Sequence, residues 1–249
     1  MEIHLLVLSM VITLIAAALT VPAGFGLATM LTPVLLFWLP PHEAIAVVAI
    51  IHGAHNAWKL KLLKSSVDFT AVKRYGWALI IGAVIGALLH SYLPSDPLLL
   101  VVGVALIILP ILSVTERWTN IRLPESEDRI GGFGSGFFGG LTGHQGALRA
   151  LFLQKRLTDK LSYAATASLL ALAVDLTRIP IYLLFEGRAI IDEYILISAL
   201  VLSAIIGVNL GKVWLTKWKQ SRIRIGILMA IVASGILYIV EASKRLGYW

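Results

Sequence analysis

Gly136-Phe-Phe-Gly-Gly-Leu-Thr-Gly-His-Gln-Gly-Ala-Leu-Arg149 is the stretch whose reading decides the fold. Eight glycines fall between Gly131 and Gly146, in surroundings that are otherwise apolar. In a water-soluble chain such a run would be a loop. Here a helical pattern leads in and another leads out, so the segment reads as a helix broken at Gly143-His144-Gln145-Gly146. A break leaves backbone N–H groups unpaired at the start of the second half-helix, where the dipole is positive. Such an end attracts an anion. Val21-Pro-Ala-Gly-Phe-Gly-Leu-Ala-Thr29 is a weaker copy of the same design.

The surroundings are those of a membrane protein. Of 249 residues, 58% are hydrophobic and 14% charged, with a mean hydropathy of +0.87. A soluble domain carries roughly 25% charge. No polar stretch is long enough to build a separate core. The chain has no cysteine, which removes disulfides, thiolate metal sites and thiol redox chemistry. The formal net charge of +7 sits mainly in loops beside apolar spans. It fits a topology signal with anionic lipid headgroups as partners, or a funnel for an anionic solute. Nothing points to nucleic acid. The N-terminus lacks the basic region of a signal peptide and runs on into Pro22 and Gly24, so it reads as a retained membrane segment.

Apolar windows cover residues 3–22, 27–39, 42–63, 76–93, 97–114, 130–142, 146–154, 160–185, 192–212 and 223–242. A full helical span needs about 20 residues. Segments 27–39, 130–142 and 146–154 are short, and each abuts a glycine break. Short, glycine-interrupted segments at matching places in two halves point to a transporter's binding site. The halves do match, at an offset of 143 − 24 = 119 residues between Gly24 and Gly143. That offset lays Asn56 on Asp175 and Lys59 on Arg178.

Loop charge orients the halves, because basic loops stay on the cytoplasmic side. Lys59, Lys61, Lys64, Lys73 and Arg74 follow the first long helix, whereas its counterpart has Arg178 and Arg188 balanced by Glu186, Asp192 and Glu193. The loop Ser91-Tyr-Leu-Pro-Ser-Asp-Pro97 has no positive residue; its counterpart has Lys212, Lys217, Lys219, Arg222 and Arg224. Leu39-Pro-Pro-His42 is set against Lys155, Arg156 and Lys160. The bias flips at all three places. The expected fold is therefore all-α and polytopic, with two inverted-topology repeats. Each holds a broken, re-entrant hairpin and about three full transmembrane helices. The repeats are expected at 1–113 and 130–249, joined by a polar linker at 114–129 on the cytoplasmic face. Lys64 to Arg74 is expected to form a short interfacial helix.

Several residues could carry chemistry. Gly132, Gly136 and Gly140 recur every fourth residue and suit close helix packing. His144 and Gln145, bracketed by Gly143 and Gly146, are costly within a membrane unless satisfied, either by a ligand or by capping the backbone. Gly24 and Gly26 bracket the first break, with Thr29 the nearest hydroxyl. His52, His55, Asn56 and Lys59 share one helix face, which reads as a hydrogen-bond network, a pathway lining or, with two histidines at i and i+3, a metal site. Lys59 is expected to snorkel to the cytoplasmic surface. Asp175 and Arg178 can pair at i and i+3, as a structural ion pair or as a protonatable group beside an anion-attracting cation. Arg149, near the second break, is a further cation that could pair with Asp175. No nucleophile elbow, zinc-helix motif or phosphate loop is present in the sequence.

Gly24-Phe-Gly26 with Pro33, followed by Leu39-Pro-Pro-His-Glu-Ala-Ile-Ala46, resembles the first signature of the sulfite exporter TauE/SafE family. Gly136 to Gly146, with Ala164-Ala-Thr-Ala-Ser168 and Val174-Asp-Leu-Thr-Arg-Ile-Pro180, is similar to the family's second copy. The resemblance implies movement of sulfite, sulfonates or other organosulfur anions across a bacterial membrane.

Together these readings predict a multi-pass protein of the bacterial inner membrane, a secondary transporter of a small sulfur-containing anion, coupled to protons or another ion. The expected substrate contacts are Gly24, Gly26, Thr29, Gly143, His144, Gln145, Gly146 and Arg149. The expected coupling or pathway residues are His52, His55, Asn56, Asp175 and Arg178. No cofactor or metal is expected, and an oligomer is possible. The alternatives are an uncoupled anion channel and a membrane metalloenzyme using His52 and His55.

Overall fold

The computed structural model describes residues 3–119, 127–217 and 220–248. Among them the chain is all helical, with ten α-helices and no strand. The first five are α1 (Ile3–Ala23), α2 (Leu27–Leu35), α3 (Pro41–Leu63), α4 (Phe69–Tyr92) and α5 (Ser95–Thr119). The second five are α6 (Glu127–Thr142), α7 (Gly146–Arg156), α8 (Lys160–Asp192), α9 (Tyr194–Lys217) and α10 (Gln220–Arg245). Residues 120–126, the middle of the expected linker, and Lys219 lie outside the described residues.

Both breaks fall where the glycines are. Gly24 (φ 85°), Gly26 (φ 117°) and Gly143 (φ 81°) take left-handed conformations that a side chain would strain. At 1.5 Å per residue, α2 and α7 are only about half as long as a bilayer core is thick. Among the described residues, four helices are long and apolar enough to cross a membrane: Ile3–Ala23, Phe69–Tyr92, Lys160–Asp192 and Tyr194–Val213. Their outward faces carry bulky apolar side chains, among them Trp77, Ile81, Ile85, Leu202, Ile206 and Val213, as lipid contact requires.

Small residues set the packing within the bundle. Side chains on Gly132, Gly136 and Gly140 of α6 would strike the backbone of α4 at Tyr75, Leu79 and Ala83. Gly82 and Gly86 return the contact against Phe133 and Phe137. Both numberings rise together, so α4 and α6 run parallel. Gly207 and Gly211 of α9 meet Leu14 and Ala18 of α1 in the same sense. Contacts between α3 and α8 run the other way: Gly53 meets Asp175 and Ile179, while Asp68, beyond the end of α3, donates from N to the earlier Thr166 Oγ1. Gly103 and Gly235 make a similar antiparallel crossing between α5 and α10.

Two local expectations need correction. Lys64 to Arg74 is not a separate interfacial helix. Lys64–Ser66 is a single 3₁₀ turn, and Asp68 then caps α4 by accepting from Ala71 N at 2.9 Å, which starts the helix at Phe69. Residues 186–192 are not a loop, because α8 continues through Pro180 to Asp192 over 33 residues. At about 50 Å it exceeds the bilayer core, so its acidic end projects.

The glycine ladder makes a direct prediction. Gly136→Leu should cost at least about 2 kcal/mol by overpacking, whereas Gly187→Ala, with nothing within 4 Å of its position, should be neutral. Thermal unfolding in detergent separates them, and equal melting temperatures would contradict the packing described.

Candidate functional site

The two breaks touch. A Cβ on Gly146 would come within 2.5 Å of Phe25 Cβ, so the start of α7 lies directly against the first break. Gly24 lies against the Tyr163 ring of α8, and Gly143 faces Arg178 and Ile45. All of these residues are buried except Gly146, which is partly exposed. Thr29, in the first turn of α2, is also buried, but among the described residues no hydrogen bond ties it to the second break.

The last carbonyls of α6 are satisfied by side chains from two neighbouring helices. Arg178 Nη1 donates to Gly139 O at 2.9 Å, Tyr182 Oη donates to Gly140 O, and His90 Nδ1 donates to Leu141 O at 2.9 Å. Gly143 N also donates to Gly139 O at 3.1 Å. A helix ending inside a membrane needs such partners, because no water is there to replace them. His90 is in turn approached by His42, whose Nε2 donates to the carbonyls of His90 and Leu93, both at 3.0 Å.

Asp175 is the one buried carboxylate at this crossing, and its oxygens are taken. Arg178 donates to Oδ1 from Nη2 at 2.9 Å and from Nε at 3.1 Å, and His52 Nδ1 lies 2.7 Å from Oδ2. The ion pair offsets the cost of burying both charges, and each partner is fully enclosed. Asn56 Nδ2 donates to His52 O at 2.8 Å. The His55 ring stacks 6.3 Å from that of His52, and Thr20 Oγ1 lies 3.4 Å from His55 Nε2. The expected coupling residues therefore form one buried group across α3 and α8.

The other side of the break is different. Arg149, 2% exposed, donates from Nη1 to Gln145 Oε1 at 2.9 Å and leaves Nε without a partner. The expected pairing of Arg149 with Asp175 does not form, because Arg178 and His52 already occupy that carboxylate. Gln145 Nε2, Tyr163 Oη and both His144 ring nitrogens are also buried without partners. Lys59 is 2% exposed and does not snorkel out. Among the described residues no carboxylate pairs with Lys59 or Arg149. Unpaired polar atoms of Gln145, Tyr163 and His144 and the Arg149 guanidinium thus cluster around the start of α7.

Sequence reasoning missed Tyr75, Tyr163, Tyr182 and His90. Tyrosine is common in any core, and their roles arise from contacts between helices far apart in the chain. The offset that placed Lys59 on Arg178 was a usable signal for Lys59, since it matched one buried cation to another.

The family model for Sulfite exporter TauE/SafE matches residues 9–238, nearly the whole chain. The chain belongs to the TauE/SafE family. TauE/SafE proteins are membrane transporters rather than enzymes, so the metalloenzyme alternative falls away. Comparison with curated proteins and with solved structures finds no match. The breaks, the polar crossing of α3 and α8, Arg149 and Lys59 all lie within the part of the chain that the TauE/SafE match covers.

Removing one partner of the central pair should be far worse than removing both. Asp175→Asn leaves Arg178 buried without its counter-charge and should cost about 3–5 kcal/mol. Adding Arg178→Met to it should cost no more, and should recover part of that loss. Thermal unfolding of the two variants decides this; a harmless Asp175→Asn would mean the pair is not structural.

Proposed function

We propose that the protein is a secondary transporter of a small sulfur-containing oxyanion, sulfite or an organosulfonate, in the bacterial inner membrane. The observation that carries this reading is Arg149: a buried guanidinium without a carboxylate, at the start of a half-helix pressed against the opposite break. The anion is held by the N–H groups at the starts of α2 and α7, by Gln145 and Arg149, and by His144 beside them. Gly24, Gly26, Gly143 and Gly146 keep this backbone bare enough to approach.

The transport cycle we infer uses two inverted repeats, 1–113 and 130–249, joined through 114–129. Helices at matching places, α3 with α8 and α5 with α10, cross antiparallel, as an axis in the membrane plane requires. α4 with α6 and α1 with α9 are the same contact with the halves exchanged. Rocking of one repeat against the other would open the site to each side in turn. Asp175 joins the halves through His52, and its protonation would remove the charge that holds Arg178 and His52. Proton uptake there would loosen the crossing and couple transport to the proton gradient, with His55 and Asn56 lining the path.

Sulfite uptake into proteoliposomes tests the reading. Arg149→Gln should lower the initial rate at least about tenfold, a loss of one charge-assisted contact. Gly146→Leu should abolish it by driving a side chain into Phe25. Rates like those of the unaltered protein in both variants would sink the site assignment. Accumulation against the anion gradient when a pH gradient is imposed supports coupling, and strictly downhill movement supports a channel.

A further inference from the structure

Tyr163 meets the first break from another helix. It stands near the start of α8, 2% exposed, with its ring packed on Gly24, where an added Cβ would lie 3.0 Å from the hydroxyl oxygen. Among the described residues that hydroxyl has no hydrogen-bond partner. A buried tyrosine hydroxyl ordinarily finds one, and without it the site is worse off than with a phenyl ring of the same shape. The offset between the halves lays Tyr163 on Ala44 (163 − 119 = 44), and it is the next residue, Ile45, that α3 sets against Gly143 at the second break. The same place is apolar at one break and carries a hydroxyl at the other, so packing alone does not call for the hydroxyl. Phe25, beside Gly24, lies against Gly146, whose neighbour Gln145 also holds a buried Nε2 without a partner. Two unpartnered groups from different helices thus flank the contact between the breaks.

We propose that Tyr163 is a specificity-determining residue of this site: its hydroxyl donates to a third oxygen of the anion and makes the site favour three-oxygen sulfur anions over carboxylates. This rests on the anion-transport reading above and adds to it the residue that reads the ligand's head group. Gln145 and Arg149 lie one helical turn apart at the start of α7 and are joined by the 2.9 Å bond from Nη1 to Oε1. Their unpartnered Nε2 and Nε groups therefore act as a pair and serve two oxygens. A carboxylate has two oxygens in one plane and is used up by that pair. A sulfonate or sulfite is pyramidal and turns a third oxygen toward the first break, where Tyr163 stands. With a carboxylate bound, the Tyr163 hydroxyl stays buried without a partner. Discrimination is that penalty rather than a difference in charge.

The test is competition against labelled sulfite uptake in proteoliposomes at neutral pH, with methanesulfonate and acetate, which share a methyl group and a single charge but differ in oxygen count. Methanesulfonate should inhibit the unaltered protein about tenfold more strongly than acetate. Tyr163→Phe should raise the half-saturating concentration of sulfite and the inhibition constant of methanesulfonate about five- to tenfold, the scale of one hydrogen bond. It should leave inhibition by acetate and the maximal rate nearly unchanged. Its melting temperature in detergent without added anion should not fall, because a hydroxyl with no partner in the protein has no bond to lose. Tyr238→Phe is the control: that hydroxyl, on α10, is also buried without a partner, and its loss should move neither constant. Equal inhibition by the two anions in the unaltered protein, an unchanged ratio in Tyr163→Phe, or the same shift in Tyr238→Phe would overturn the role of Tyr163 and leave anion transport standing. A lower melting temperature for Tyr163→Phe would reveal a structural bond and overturn it too. An unaltered protein that takes up no sulfite would remove the transport reading itself, and this inference with it.

Discussion

A helix that stops inside a membrane must find partners for the backbone groups it exposes, and the rest of this structure follows from that constraint. The two ends of each break solve it differently. The carbonyl end of α6 is closed by Arg178, Tyr182 and His90, side chains brought from α8 and α4. At the start of α7, Gly146 lies against Phe25, and Gln145 Oε1 is already taken by Arg149 Nη1.

Charge placement reinforces the same asymmetry. The carboxylate at the helix crossing, Asp175, is consumed by Arg178 and His52 and so cannot neutralise anything else. The His52 contact to Asp175 ties α3 to α8, while Arg178's remaining nitrogen holds the end of α6. One guanidinium thus serves the ion pair and the helix cap together. Arg149, at the second break, is buried and among the described residues has no carboxylate bound to it.

Much of this was legible in the sequence. Glycines within an apolar run located both breaks to the residue, since left-handed backbone at Gly24, Gly26 and Gly143 admits little else. The starts of α2, α7 and α8 fall at the expected positions, because a short apolar segment beside a glycine break has few other ways to fold. The four-residue glycine spacing announced the close approach of α6, though not that α4 would be its neighbour. The partners could not be read. His90 and Tyr182 cap α6 across 51 and 42 residues of sequence. Lys59 was misplaced because a lysine near a helix end ordinarily reaches for water, and only the fold reveals that its path outward is closed. Arg149 and Asp175 looked like partners for want of a sign that Asp175 was already spoken for.

The central claim is that the breaks and Arg149 enclose an anion, and a structure of the protein in lipid with selenate, a heavier analogue of sulfate, tests it most directly. Anomalous scattering from selenium should appear as a single peak between Arg149 Nε, Gln145 Nε2 and the first turn of α7, within one hydrogen-bonded oxygen of each. A peak at the basic loops alone, or against Arg178 with Asp175 displaced, would contradict the account.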